Sequence, residues 1–324
     1  MSDPPPPAAP RPAPGLRLPA LVVAAGPAAE RGVLEFFVVN IRNPNTRRAY
    51  ARAVFEFCDV FEGRDVASLT EIRPVHVAAY VEALGRDHAP ATVKQRLAAV
   101  RMLFDWLTVG QVVQVNPAAS VRGPHHVVRR GKTPVLERAD ARRLLESIDA
   151  TSLVGLRDRA FLGLMIYTFA RVGAAVGMQV RDFHPVGWRW RVRLREKGGR
   201  HHELPAHHTL EAWLLDYVEA AGIREAPRSP LFRSALGRTG RLSERPLLAR
   251  NALDLVRRRA RDAGIRGAIC NHSLRATGIT AYLANGGTLE TAQAIAAHES
   301  PRTTKLYDRT DDEVTLDEIE RIIL

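Results

Sequence analysis

The last part of the chain, about 60 residues, concentrates side chains that could bind a phosphate and move protons. His272 and Arg275 lie three apart in the segment HSLRATG, so on a helix they share one face. His298 follows a predicted helix, and Tyr307 lies on the next short one, which the Ser-Pro pair at 300–301 is suited to begin. Arginine can grip phosphate oxygens, histidine can exchange protons near neutral pH, and tyrosine can act as a nucleophile.

Two more candidates come earlier in the chain. Arg171 follows an apolar helical segment in TFARVGAAV, and Lys197 lies at a predicted tight turn in REKGGRHHELP. Taken singly, each candidate also has an ordinary structural explanation. Arg171 could cap the carbonyls at a helix end, and Lys197 could be a solvated turn residue. His298 could be a structural histidine, and Tyr307 could serve only in packing.

Taken together and in this order, these segments resemble the signature of the tyrosine recombinases, which include the phage integrases and the Xer-type recombinases. That signature is an arginine, a lysine on a β-hairpin, His-x-x-Arg, a histidine or tryptophan, and a tyrosine. The spacing fits as well, with Arg275 23 residues before His298 and His298 nine residues before Tyr307. The matching positions are Arg171, Lys197, His272, Arg275, His298 and Tyr307.

The resemblance implies a site-specific DNA recombinase or integrase that needs no cofactor, neither ATP nor a metal. Tyr307 would attack a DNA phosphorus, leaving a 3′-phosphotyrosine and a free 5′-hydroxyl, while the two arginines hold the charge on the phosphate oxygens. Lys197 would protonate the departing 5′-oxygen, and His272 would act as acid and base toward the tyrosine. His298 would hydrogen-bond the phosphate or position the tyrosine.

Two positions depart from the family pattern. The family often has a carboxylate three residues after its first arginine, where it braces the active-site arginines, and this chain has Ala174 there. The family also commonly shows Leu-Gly before the second histidine, where this chain has Ala296 and Ala297. The first departure affects how the arginines are positioned, and the second affects a local turn.

The elements that must position these residues predict a fold that is mainly α with a small β-sheet. A Pro-rich, disordered tail is expected over residues 1–30, because its composition cannot build a core. An all-helical DNA-binding domain, similar to the family's SAM-like core-binding domain, follows over about 31–120. A basic linker over 121–132 then leads to a mixed α+β catalytic domain over 133–324. Its amphipathic terminal helix, about 312–324, is expected to dock on a neighbouring subunit.

Basic side chains are predicted to meet DNA. In the segment from Trp188 to Arg195, apolar residues alternate strictly with arginines, which indicates a strand with four arginines on one face. Like charges in such a row repel each other unless an anion lies over them. The candidate DNA-binding residues are Arg47, Arg48, Lys94, Arg96, Arg129, Arg130, Arg189, Arg191, Arg193 and Arg200.

Composition agrees with a nucleic-acid partner. Lys plus Arg number 47 against 35 Asp plus Glu, a formal net charge of +12. The two cysteines, Cys58 and Cys270, form no metal-binding pattern and favour a reducing compartment, so the expected location is cytoplasmic and nucleoid-associated. No apolar run approaches the roughly 18 residues of a membrane span.

The expected partner is double-stranded DNA, held in a clamp between the two domains of each protomer. A homo-tetramer would join two DNA sites, with or without a second recombinase or an accessory protein. Two alternatives remain open. A type IB topoisomerase uses similar chemistry and would relax supercoiled DNA as a monomer, and a catalytically silent DNA-binding accessory protein could keep the same fold.

Overall fold

The computed structural model describes residues 17–64, 66–126, 131–196, 199, 201–237 and 239–308. The chain divides into two compact units, Met1–Val127 and Val128–Leu324. The described part is mostly helical with small sheets, as the sequence predicts. No helix in these ranges is both long and apolar enough to cross a membrane.

The first unit contains helices and no strands among its described residues. Four of its helices begin with a proline, which lacks the N–H that a first helical turn leaves unpaired. The side chain of Asn43 also caps one of them by accepting from the N–H groups of Asn45 and Thr46. The elements are α1 (Ala20–Ala24), α2 (Pro27–Glu35), a π-helix (Phe36–Asn40), α3 (Pro44–Phe61), a 3-10 turn (Leu69–Glu71), α4 (Pro74–Asp87) and α5 (Pro90–Val109).

The structure differs from the expected disordered tail at its C-terminal end. Helix α1 and the start of α2 lie within residues 20–30, and Leu21 and Val22 are 3% and 0% exposed in the core of this unit. The residues before Ala20 are rich in proline. The segment that begins at Ala20 instead carries apolar side chains that pack into the core of this unit. Residues 1–16 lie outside the described part of the chain.

The expected linker is also shorter than predicted. The carbonyl of Val121 accepts a hydrogen bond from Arg101, so that residue belongs to the first unit. At the other end, Gly131 N–H donates to the carbonyl oxygen of Leu306 in the second unit, at 3.0 Å. Residues 127–130, which include Arg129 and Arg130, lie outside the described residues.

The second unit is mixed α+β. Its helices are α6 (Arg138–Glu146), α7 (Leu153–Tyr167), α8 (Val172–Val176), α9 (His208–Ala220), α10 (Ala249–Asp262), α11 (Asn271–Ala284), α12 (Leu289–Ile295) and α13 (Pro301–Lys305). Its strands are β1 (Phe183–Val186), β2 (Arg189–Arg195), β3 (His201–Pro205), β4 (Arg233–Ala235) and β5 (Leu242–Pro246). The order β1-β2-β3 forms an antiparallel sheet, and β4 pairs with β5.

Strand β2 shows why the alternating sequence folds as it does. Val192 and Leu194 are fully buried in the core, so the arginines that alternate with them along the strand face outward. Trp188 departs from the prediction, because it lies in the turn before β2 and is 83% exposed. The predicted repulsion is relieved within the sheet: Arg191 and Arg193 both pair with Glu203 on β3, at 2.8 and 3.0 Å.

Helix α7 forms the centre of the second core, and α11 approaches its end closely at one glycine. A Cβ added at Gly278 would lie 2.1 Å from the carbonyl oxygen of Ile166 and 2.8 Å from the ring of Phe169. Any other residue would push these helices apart. The glycine therefore lets α11 bring its polar residues against the segment that follows α7.

We expect the packing of α1 to be measurable as stability. Leu21→Ala should lower the free energy of unfolding by about 2–5 kcal/mol, because it leaves a cavity in a filled core. Val23→Ala, on the same helix but at a half-exposed position, is the matched control and should cost far less. Urea unfolding of the full chain followed by circular dichroism measures both. Equal unfolding midpoints for Leu21→Ala and the unmodified protein would contradict the packing of this segment.

Candidate active site

The buried guanidinium of Arg275 lies at the centre of the candidate site. Its side chain projects from α11, and the residue is 1% exposed. Nη1 donates to the carbonyl oxygen of Phe169, and Nη2 donates to the carbonyl oxygen of Ala296 at 2.7 Å. Nη2 also lies 2.6 Å from Nε2 of His298. One side chain thus joins the segment after α7, the end of α12 and the loop that follows it.

Both carbonyls lie at left-handed turns formed without glycine. Phe169 has φ +53°, and Ala297, directly after the Ala296 carbonyl, has φ +46°. A non-glycine residue in this region carries a cost of about 1–2 kcal/mol, which the surrounding contacts must offset. The family's Leu-Gly would meet the second turn without strain. The departure at Ala297 therefore keeps the turn and adds strain to it.

His298 is held between two partners, and they fix its tautomer. Because Arg275 can only donate, Nε2 of His298 must accept, which leaves the proton on Nδ1. Nδ1 lies 2.8 Å from the hydroxyl of the fully buried Thr304 and donates to it. Burial, followed by the positive charges of Arg275 and Arg171, lowers the pKa of His298 to about 3.

Tyr307 lies just after α13, and its hydroxyl reaches a histidine. The hydroxyl is 2.6 Å from Nε2 of His272, and the residue is 6% exposed. Its backbone is fixed as well, because Thr280 donates to the Tyr307 carbonyl and Gly131 to that of Leu306, each at 3.0 Å. The hydroxyl is therefore oriented toward a base.

The pKa directions suit proton transfer between these two groups. Burial raises the pKa of Tyr307, an effect that the nearby guanidinium of Arg275 opposes. Burial and the charges of Arg275 and Arg171 lower the pKa of His272 below 6.5. At neutral pH His272 is therefore neutral, and its Nε2 can accept the proton of the tyrosine.

Arg171 precedes α8, and its partner is an acid that the sequence did not single out. Nη1 of Arg171 lies 2.5 Å from Oε2 of Glu196, a side chain that is 5% exposed. Arg171 therefore pairs across the fold to the end of β2 rather than capping α7. The sequence did contain a signal, since this acid directly precedes Lys197 in REKGG.

The structure brings the sequence-predicted residues close together: Tyr307 contacts His272, Arg275 contacts His298, and the rings of His298 and Tyr307 stack with centroids 5.9 Å apart. Arg171 acts on both histidines through its charge. Lys197 and Arg200 lie outside the described residues, between strands β2 and β3. The expected terminal helix, about 312–324, also lies outside them.

Some of the candidate DNA-binding residues already bond to other groups of the protein, and others are exposed. In the first unit, Arg96 is 15% exposed at its side chain and pairs with Glu56, while Arg47 donates to the carbonyl of Ile41. Arg48 donates to Asn45 at 2.6 Å. The exposed basic candidates of the described part are Arg48, Lys94 and Arg189, the last lying 4.2 Å from the ring centroid of Trp188.

Comparisons with known proteins show which family the chain resembles along most of its length. The profile of the phage integrase family matches residues 134–313, and that of the phage integrase N-terminal SAM-like domain matches residues 37–110. Tyrosine recombinase XerC of Salmonella typhi is 28% identical over 226 residues, which cover 68% of this chain and 70% of that protein.

Two solved structures share the fold. The XerH site-specific recombinase bound to a palindromic difH substrate, in a post-cleavage complex, matches with a TM-score of 0.67 and 20% identity, covering 85% of this chain and 79% of that one. A lambda integrase tetramer bound to a Holliday junction matches with a TM-score of 0.64 and 16% identity, covering 88% and 80%.

The lowered pKa of His298 predicts a pH dependence of stability. As pH falls below 6.5, His298 in the unfolded chain gains a proton. In the folded protein, His298 stays neutral until about pH 3. The free energy of unfolding should therefore fall as pH drops from 6.5 to 5, by roughly 1 kcal/mol per pH unit from this group. Most carboxylates stay ionised in this window.

His298→Asn should make that decline shallower, whereas His201→Asn, at an exposed position on β3, should leave it unchanged. Chemical unfolding at a series of pH values measures the slope. An unchanged slope in His298→Asn would show that this histidine is not held neutral in the folded protein.

Proposed function

Because the chain belongs to the phage integrase family of tyrosine recombinases, we propose that it is a site-specific DNA recombinase that cuts and rejoins strands through a covalent bond to Tyr307. The observation that carries this proposal is the 2.6 Å contact between the Tyr307 hydroxyl and Nε2 of His272, beside the buried Arg275. A tyrosine becomes an effective nucleophile when a positioned base takes its proton.

The charges of the site suit a phosphodiester in transition. Attack at phosphorus adds negative charge to the non-bridging oxygens, which fixed guanidiniums can stabilise without reorganising. Arg171 and Arg275 supply two such groups, and Glu196 offsets part of their charge. The neutral forms of His272 and His298 add no further positive charge, so the tyrosine can lose its proton to His272.

The remaining roles are those that the resemblance to the family implies. Attack by Tyr307 forms a 3′-phosphotyrosine and releases a 5′-hydroxyl, and Lys197 supplies the proton to that leaving oxygen. The phosphotyrosine conserves the energy of the broken bond, so another 5′-hydroxyl can reverse the step without ATP. Both ring nitrogens of His298 are engaged, which favours a role in holding Arg275 over direct binding of the phosphate.

We further infer that four copies act on two duplexes through a Holliday junction, either alone or with a second recombinase or an accessory protein. The fold shared with a lambda integrase tetramer bound to such a junction supports this assembly. The formal charge of +12 supports binding through DNA phosphates, which weakens steeply with salt. Work on DNA of this kind would place the protein at the nucleoid.

The covalent intermediate is the direct test. A duplex from the locus around the protein's own gene, nicked close to the cleavage point, loses a short fragment after cleavage and traps the adduct. In buffer with a chelator and without ATP, the unmodified protein should form an adduct, and Tyr307→Phe should bind the DNA but form none.

Tyr282→Phe is the matched control, because Tyr282 packs against the same small apolar cluster as Tyr307. It should form the adduct at close to the normal yield. Denaturing gel electrophoresis of end-labelled DNA measures all three. An undiminished adduct in Tyr307→Phe would place the nucleophile elsewhere and contradict the proposal.

A further inference from the structure

We propose that Glu196 is the positioning residue that holds Arg171 in place for the phosphate and that it performs the bracing role left vacant at Ala174. The inference rests on the proposed function, because it concerns the geometry of that same site. Glu196 touches no substrate in this assignment and acts through Arg171.

Arg171 and Glu196 differ in how far their side chains are buried, and this difference suits a bracing role for Glu196. The carboxylate is 5% exposed, whereas the arginine side chain is 37% exposed. A carboxylate that is buried this far is costly unless a partner compensates it, and Arg171 provides that partner at 2.5 Å. A guanidinium has five N–H donors, so one bond toward the interior leaves others for a ligand arriving from solvent.

The charge of Glu196 reaches the second arginine of the site. Burial and the nearby charge of Arg171 lower the pKa of Arg275 to about 10, and the charge of Glu196 opposes this effect. Two guanidiniums gathered around one phosphate repel each other while the site is empty. A single buried acid reduces that repulsion and leaves a net positive charge for the phosphate.

The position that carries an acid in many family members has a different environment here. Ala174 lies in the first turn of α8, is 5% exposed and belongs to the apolar core of the second unit. Its N–H donates to the carbonyl of Arg171 at 2.9 Å, so it lies next to the arginine without offering a side-chain acceptor. The acceptor comes instead from the end of β2.

Glu196 also connects the arginine to the tip of the hairpin. Its carbonyl accepts a hydrogen bond from Gly199 N–H at 3.1 Å, and Gly199 has φ +80°, a conformation that favours glycine. Glu196 is thus bonded to Arg171 through its side chain and to Gly199 through its backbone carbonyl. Lys197 is the next residue in the chain, so the bracing acid and the proposed general acid are adjacent.

The test compares two acids of the same hairpin. Glu196→Gln keeps the shape and removes the charge, and it should slow adduct formation at saturating nicked DNA by about 10- to 100-fold, as expected when a bracing contact is lost. Glu203→Gln removes the acid that pairs with Arg191 and Arg193 and should leave the rate within about twofold. Thermal unfolding of both variants measures any purely structural effect.

A double variant distinguishes a positioning role of Glu196, exerted through Arg171, from a role in stability alone. If Glu196 acts through Arg171, adding Glu196→Gln to Arg171→Ala should slow cleavage little beyond Arg171→Ala alone. A substrate whose 5′-bridging oxygen is replaced by sulfur, a leaving group that needs no proton, should leave the Glu196→Gln defect in place.

Three results would overturn the assignment: a normal cleavage rate in Glu196→Gln with only a lower melting temperature, multiplicative defects in the double variant, or full recovery with the sulfur substrate, which would assign Glu196 to Lys197 instead. Adduct formation by the unmodified protein reports on the proposed function separately. The ratio between variants reports on Glu196, so the two ideas can fail independently.

Discussion

The burial of one guanidinium is the constraint on which the rest of the site depends. Arg275 is nearly inaccessible to solvent, and a buried charge of this kind must have its donors satisfied. The protein satisfies the two terminal nitrogens with the carbonyls of Phe169 and Ala296 and with a ring nitrogen of His298, whereas Nε has no hydrogen-bond partner among the described residues. The two carbonyls lie at strained left-handed turns, and the histidine is held in its neutral form. Gly278, which lets α11 approach α7, is part of the same requirement.

The buried Arg275 and its neighbour Arg171 also set the protonation states that the proposed reaction needs. Burial, together with the positive charge of Arg275 and Arg171, lowers the pKa of both neighbouring histidines, and a neutral His272 is the form that can accept a proton from Tyr307. The same charge favours the phenolate while burial opposes it. Binding of a phosphate and activation of the nucleophile are therefore two results of one cluster of charges rather than separate devices.

The sequence singled out most of the residues that meet in the candidate site, because they lie in short, ordered motifs on regular elements. Period-two alternation identified β2, and the family spacing identified the candidates from Arg171 to Tyr307. What it missed depends on contacts between distant segments. Composition alone could not reveal that Leu21 enters a core. The position of Glu196 directly before Lys197 was a signal, but no local pattern showed that this acid would face Arg171, 25 positions away. The arginine face of β2 was predicted correctly, but Glu203, its partner on the next strand, was not.

The fork of Arg275, rather than its charge alone, organises the site. Arg275→Lys keeps the charge but cannot serve two carbonyls, a histidine and a phosphate together. Single-turnover cleavage of saturating nicked DNA, at a temperature where both proteins are folded, tests this directly. We expect near-normal DNA binding with adduct formation slowed by roughly 10²- to 10³-fold, comparable to the loss of an oxyanion donor. Cleavage at close to the normal rate in Arg275→Lys would contradict it.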